Sequence, residues 1–432
     1  MKQRSFSRNS NSVRHSQGPA SAFGPSAKLQ QGFTLIELLV SLALGLGVLV
    51  AMASVYVAAK QTFKFQETGG RMQEDANYAL EQIARELRMA GFAGCALVDA
   101  IDDGGGIGTK RYIPTSGLKS TPTPNAITSS NPLALVAATD LDVTAQPLTP
   151  ANFLRGFDSV PSALFASGSA PTASNANALF FSGGSANVVS VTAAMASATS
   201  DLTIASDPYG WSGAANGYTM IVSDCAQASI FVGKVKSGGT AIDHSTTYDN
   251  ANNFFPQNAI YSHTSASGAI VMPLEWRLYY VDTRSGASTS SLYQVRFDGS
   301  SRKNAEEVIA NVESIRLHYG ENTAGFDSTS VPGTTTACTL PTAINVLSKC
   351  APTQQPNVWR TSAATVGSWN NVVAVRVGLM LVSSDSTVAN DITADSLTLL
   401  GQSYTVPTTA TAGRLRKEYS TTVSLRNRIS PR

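Results

Sequence analysis

The string Gly32-Phe33-Thr34-Leu35-Ile36-Glu37 opens an apolar run that extends to Ala59, and it places a single carboxylate near the start of a membrane-length segment. An ionised carboxylate near the centre of a lipid-embedded helix costs roughly 2.5 to 3.5 kcal/mol on insertion scales, and less near the boundary. Glu37 is therefore expected to be functional and paired, and its natural partner is an amine. Cleavage after Gly32 would give Phe33 an α-amino group with a reference pKa of about 8, mostly cationic at neutral pH. Such an amine, on the same subunit or the next, would neutralise Glu37.

Other chemistry-bearing residues are sparse. The four histidines include His15, and His244, His263 and His318 lack the spacing of metal ligands beside one another. The chain has no His-Glu-x-x-His, Gly-x-Ser-x-Gly or Walker A string, which argues against an enzyme, with an anchored hydrolase as the alternative. Asp102-Asp103 before Gly104-Gly105-Gly106, and Asp140 with Asp142, follow no EF-hand spacing and read as turn chemistry rather than calcium ligands. No cofactor and no metal are implied. Arg414, Arg416, Lys417, Arg426, Arg428 and Arg432 make a basic C-terminal stretch, with Tyr419 the interleaved aromatic. That pattern reads as a solvated strand face and argues against nucleic acid as a partner.

The elements that must position Glu37 can be read from pattern. From Phe33 to Ala59 the apolar segment would span about 40 Å as a helix, against a hydrocarbon core of about 30 Å. Ala51-Met52-Ala53 offers a signal-peptidase-like site, but the run is longer than a secretory apolar region and carries Glu37 near its start. Residues 1–32 carry Lys2, Arg4, Arg8, Arg14 and Lys28 and no acidic residue, so this end is expected to stay cytoplasmic. Removing it would take the formal charge from +2 to −3.

After Lys60, Met72, Ala76, Ala79, Leu80, Ile83, Ala84 and Leu87 recur at three- and four-residue spacing, which predicts one buried helix face. Arg71, Glu74, Asp75, Glu81, Gln82, Arg85 and Arg88 occupy the other face. Glu81 and Arg85 have favourable i, i+4 spacing. Gly91 is the expected stop, and Gly69-Gly70 is a point where the helix could break. Beyond residue 93 the composition turns to Ala, Ser, Thr, Gly and Asn with alternating apolar segments, which predicts a β-rich head. Strands with one buried face are expected at Leu274–Tyr280, Val373–Leu381 and Arg414–Arg426, and Asp103-Gly104, Asp298-Gly299 and Pro332-Gly333 mark turns.

The hexapeptide at residues 32–37 followed by a long apolar helix resembles the class III signal of type IV prepilins and pseudopilins. Leu292-Tyr293, Asn311 to Ile315, Tyr319-Gly320 and the Thr421–Asn427 string, with Gly94-Cys95 and Asp224-Cys225 in order before them, resemble the PilW-type minor pilin. The resemblance implies an α+β, type IV pilin-like fold, a long N-terminal helix packed on a β-rich head. Its segments would be a cleaved leader (1–32), a transmembrane and filament-core helix (33–59), an amphipathic helix half (60–92) and a periplasmic or extracellular head (93–432). Variable loops are expected at about 114–200 and 321–365.

It also implies cleavage between Gly32 and Phe33 by a prepilin peptidase, which methylates the Phe33 amine, and a pairing role for Glu37. The implied partners are other minor pilins, the major pilin, the inner-membrane assembly platform and, before assembly, the membrane itself. The implied function is non-enzymatic priming of pilus assembly, with location first in the bacterial inner membrane and then in the cell-surface pilus. A type II secretion minor pseudopilin, or a tip adhesin or DNA-uptake module, remains an alternative. Cys95, Cys225, Cys338 and Cys350 would face the periplasm, where disulfides persist. Of the three connectivities, Cys95 with Cys225 and Cys338 with Cys350 is the favoured one.

Overall fold

The computed structural model describes residues 33–94, 153–160, 177–214, 217–224, 228–245, 260–263, 268–283, 287, 289–300, 303–323, 355–367, 369–385, 397–406, 413–425 and 427. The chain divides into two compact units, Met1–Lys60 and Gln61–Arg432. One uninterrupted helix, α1 (Leu35–Leu87), begins in the first and ends in the second. Gly69 and Gly70 do not break it, and a Cβ at either would meet nothing within 4 Å.

In the first unit the described residues are Phe33, Thr34 and the first half of α1, all exposed. In the second unit α1 is amphipathic as its spacing predicts: Met72, Ala76, Ala79, Leu80, Ile83, Ala84 and Leu87 are its buried residues. The helix closes in a turn in which Met89 N–H donates to the Glu86 carbonyl and Ala90 N–H to that of Leu87. Gly91 follows at φ 73°, left-handed backbone that suits glycine after a helix end.

The head strands are β1 (Leu154–Phe157), β2 (Ala178–Gly184), β3 (Val189–Ser190), β4 (Leu202–Thr203), β5 (Tyr218–Ser223), β6 (Ala228–Val235), β7 (Ala241–Asp243) and β8 (Ile270–Asp282). They continue with β9 (Ser291–Phe297), β10 (Glu306–Ala310), β11 (Val312–Glu321), β12 (Val358–Arg360), β13 (Val372–Val382), β14 (Thr398–Leu399), β15 (Gln402–Ser403) and β16 (Arg416–Ser424). A ten-stranded antiparallel sheet is organised on β8, whose first residues pair β5 and whose later ones pair β9, while β2 and β3 run along its other edge. A four-stranded antiparallel sheet has the order β12-β11-β13-β16, and β14 and β15 form a hairpin.

The core against α1 is built from both sheets: Leu179, Phe181, Tyr279, Val281 and Leu292 from the larger, and Ile315, Leu317, Val375, Val377, Leu379 and Val423 from the smaller. β8 and β13 are buried on both faces rather than one, with Tyr279 and Tyr280, and Met380 and Leu381, all under 5 % exposed. The segment 114–200, read as variable loops with short strands, supplies β1, β2 and β3 among its described residues, and β2 is a fully buried strand between β1 and β8. Segment 321–365 supplies β12, and the Asp298-Gly299 turn forms with Gly299 at φ 95° and Asp298 Oδ1 accepting from the Ser300 amide. Asp103-Gly104 and Pro332-Gly333 lie outside the described residues.

Candidate functional site

Glu37 sits in the first turn of α1, and Thr34 immediately before the helix organises it. The Glu37 N–H donates to Thr34 Oγ1 at 3.3 Å, and the Leu38 N–H donates to the Thr34 carbonyl at 3.2 Å. Thr34 is thus the N-cap, satisfying an amide that the first helical turn would leave orphaned in lipid. The same geometry puts the Glu37 carboxylate at the positive end of the helix dipole, where a negative charge is favoured. Sequence reading passed over Thr34, although Thr-x-x-Glu ahead of an apolar run is the spacing of a capping box.

Around the carboxylate the surface is apolar and uncovered. Ile36, Val40, Ser41 and Leu44 line a shallow depression with Glu37, and Leu35 and Ile36 are 78 % and 70 % exposed. Ser41 and Ser54 hydrogen-bond back to the Leu38 and Ala51 carbonyls, so their hydroxyls do not add unsatisfied groups to this surface. The helix is long and apolar enough to cross a membrane, with a mean hydropathy of 2.5 in its most apolar stretch. So large an apolar surface marks a membrane or a packing partner. Gly32 lies outside the described residues.

The end of α1 is held by a polar cluster that the sequence did not announce. Glu86 Oε2 accepts from Tyr279 Oη and, at 2.6 Å, from Gln294 Nε2, and Arg277 Nε lies 3.2 Å away. Burial and the adjacent Glu86 push the Tyr279 phenol far above its ordinary range, so it stays protonated and donating. Gly183 and Gly184 of β2 then allow backbone contact: a Cβ on Gly183 would lie 2.3 Å from the Met89 carbonyl oxygen. Gly91 N–H donates to the Ser182 carbonyl and Gly184 N–H to that of Phe92. Asn427, last residue of the C-terminal string, donates from Nδ2 to the Arg88 carbonyl at 2.9 Å. Along α1 an exposed i, i+4 ion pair joins Glu67 and Arg71 at 2.7 Å, and Lys64 pairs with Asp385.

Cys95, Cys225, Cys338 and Cys350 lie outside the described residues, as do Asp102, Asp103, Asp140 and Asp142. Among the described residues no cluster of three or more His, Cys, Asp or Glu could hold a metal. His244 Nε2 is 2.9 Å from the Ser200 carbonyl, while His318 is buried on β11, held below its ordinary range by burial and by Arg376 and Arg316.

In the basic C-terminal stretch Lys417 is exposed, whereas the two described arginines are covered. Arg414 donates to the Ser383 and Ser384 carbonyls, and Arg416 makes a two-pronged pair with Glu313 at 2.8 Å, both side chains 8 % exposed. Two long cationic stems are covered because their charges are answered inside the fold. Arg426, Arg428 and Arg432 are outside the described residues.

Residues 27–53 match the family model described as Prokaryotic N-terminal methylation motif, and residues 278–427 match Type IV Pilus-assembly protein W. The second match runs from the middle of β8 through β16 to Asn427, and so takes in Tyr279, Gln294 and Asn427, which grip the helix end. No curated protein matches the chain. A type IV-like pilin from Thermus thermophilus is similar at 13 % identity over 50 % of this chain and 86 % of that one, with a TM-score of 0.21, too loose to carry weight. A methylation motif thus lies over the start of the apolar helix and a type IV pilus-assembly region over the strands that seat its end, and in these two regions the chain is similar to type IV pilins.

Proposed function

We propose that this pilin primes type IV pilus assembly, entering an initiating complex with other minor pilins that stays at the pilus tip while the major pilin is added beneath. The protein is inserted in the bacterial inner membrane with residues 1–32 cytoplasmic and the head periplasmic. Prepilin peptidase cuts between Gly32 and Phe33 and methylates the new amine, and the assembly platform then moves the subunit into the filament. Its role is structural rather than catalytic. The observation that carries the reading is Glu37, an exposed carboxylate held at the capped start of an otherwise apolar helix.

Inside a filament core that charge needs an answer, and the methylated Phe33 amine of a neighbour supplies one. Breaking a buried pair by removing one partner costs about 3–5 kcal/mol, because the other charge stays buried. Glu37→Ala is therefore expected to leave cleavage at Gly32 intact and to reduce surface pili strongly. Wild-type piliation in that variant would refute the pairing. Deleting the gene should remove filaments. Filaments that persist but fail to adhere would instead make the protein a tip adhesin, and intact filaments with lost secretion would make it a pseudopilin. The match to a pilus-assembly family over residues 278–427 supports the pilus over the secretion machine.

A further inference from the structure

We propose that the open edge of β16 is a docking strand that accepts an extended segment of a different pilin subunit in the initiating complex. This inference rests on the priming role above and names the surface through which it is exercised. All nine residues of β16 pair with β13, and among the described residues no strand pairs with its other edge.

The hydrogen bonds fix which backbone groups are left over. Leu425 N–H donates to the Val373 carbonyl and Ser383 N–H to that of Leu415. The odd-numbered residues therefore turn their amides and carbonyls toward β13, and the even-numbered ones, Arg416, Glu418, Ser420, Thr422 and Ser424, turn theirs outward. The ladder is about 30 Å long at the usual rise per residue. It has no proline and its register with β13 is unbroken, so it lacks the bulge or proline that commonly blunts an edge. Lys417, Ser420, Thr422 and Ser424 are exposed.

Side chains specify the occupant. On the face shared with the helix core, Tyr419 packs at the core margin and its buried hydroxyl has no hydrogen-bond partner. An added strand with apolar residues on that face would extend the core over Tyr419 and Thr421. Of the charges along the edge, Arg416 is taken by Glu313 and Glu418 by the Leu400 amide. Among the described residues Lys417 has only the Tyr419 ring, 5.4 Å away. The incoming strand should thus carry a carboxylate opposite Lys417. A second copy of this chain, paired antiparallel about Ser420, would set Lys417 against Val423 and leave both ammonium groups unanswered. Charge complementarity therefore selects a different subunit.

Hydrogen exchange on the full chain, free in detergent and in assembled pili, tests the edge directly. The amides of residues 418, 420, 422 and 424 should slow by about tenfold or more on assembly, while those of 417, 419, 421 and 423 are protected in both states. Ser420→Pro removes only an amide that the fold leaves unused, so it should keep the unfolding temperature and lose piliation, with Ser420→Ala as the active control. Lys417→Glu should also reduce piliation, and it reads the surface even if the proline variant misfolds.

Unchanged outward amides in pili, or wild-type piliation by both Ser420→Pro and Lys417→Glu, would overturn the proposal. So would protection that arises when the purified chain alone is concentrated, which would make the occupant a second copy. Filaments surviving gene deletion would defeat the priming role instead, and exchange in the isolated complex would still report on the edge.

Discussion

At the scale of single residues, two glycine sites with opposite surroundings make the physics testable. Gly183 lets β2 pass against the turn that ends α1, and an added Cβ would meet a backbone carbonyl at 2.3 Å, which cannot swing aside as a side-chain tip can. Gly183→Ala should cost about 1–3 kcal/mol in unfolding free energy, as overpacking usually does. Gly69, in the middle of α1 with open space around it, should behave the other way. Gly69→Ala should stabilise the helix by roughly 0.5–1 kcal/mol, since alanine loses less backbone freedom on folding. Thermal unfolding of both variants of the full chain in detergent checks the pair. A destabilising Gly69→Ala would mean that the glycine serves flexibility or close packing in the assembled filament. Thr34 shows the same economy of scale, one hydroxyl answering an amide that lipid would leave bare.

At the scale of elements, the smaller sheet is tied by a charge pair that replaces part of its apolar packing. Glu313 on β11 holds Arg416 on β16 through two bonds at 2.8 Å and accepts from Tyr404 Oη at 3.1 Å, joining strands that flank β13 to the segment after β15. Glu313→Ala would leave Arg416 covered and unanswered, at a cost of about 3–5 kcal/mol. Denaturant unfolding should register that loss. The double variant Glu313→Ala with Arg416→Met should recover much of it, because an uncharged stem of similar length no longer needs a partner. The arginine-rich C-terminal stretch suggested a solvent-facing strand because composition cannot tell a hydrated cation from a paired one.

At the scale of the whole molecule, the head hides several tyrosines whose phenols burial drives upward. Tyr261, Tyr279, Tyr319 and Tyr404 are all raised from the ordinary value of 10.0, first by burial, with Glu86 adding to the effect at Tyr279 and Glu313 at Tyr404. In the unfolded chain these groups lose their protons near pH 10, whereas the folded head keeps them. The unfolded state then binds fewer protons than the native one, so stability falls as pH rises. Their stabilising contribution is complete below pH 10 and declines above it. An alkaline titration should show phenolate absorbance from the exposed tyrosines first, followed by a cooperative step as the head opens. Ionisation of every tyrosine in a single simple titration with the fold intact would contradict the burial.

By itself the sequence determined the properties that depend on local pattern. The apolar run with its lone acid at Glu37, the helical face from Met72 to Leu87 and the alternation within β8, β13 and β16 all follow from side-chain periodicity, which is set by backbone geometry before any packing occurs. Only the tertiary structure decided how those elements close on one another. The covered side chain of Arg416, the grip of Tyr279, Gln294 and Asn427 on the end of α1, and the place of β2 between β1 and β8 join residues up to 339 positions apart. Distances in space between such residues leave no period in the chain, and the polarity of a side chain does not reveal whether its partner is water or another part of the fold.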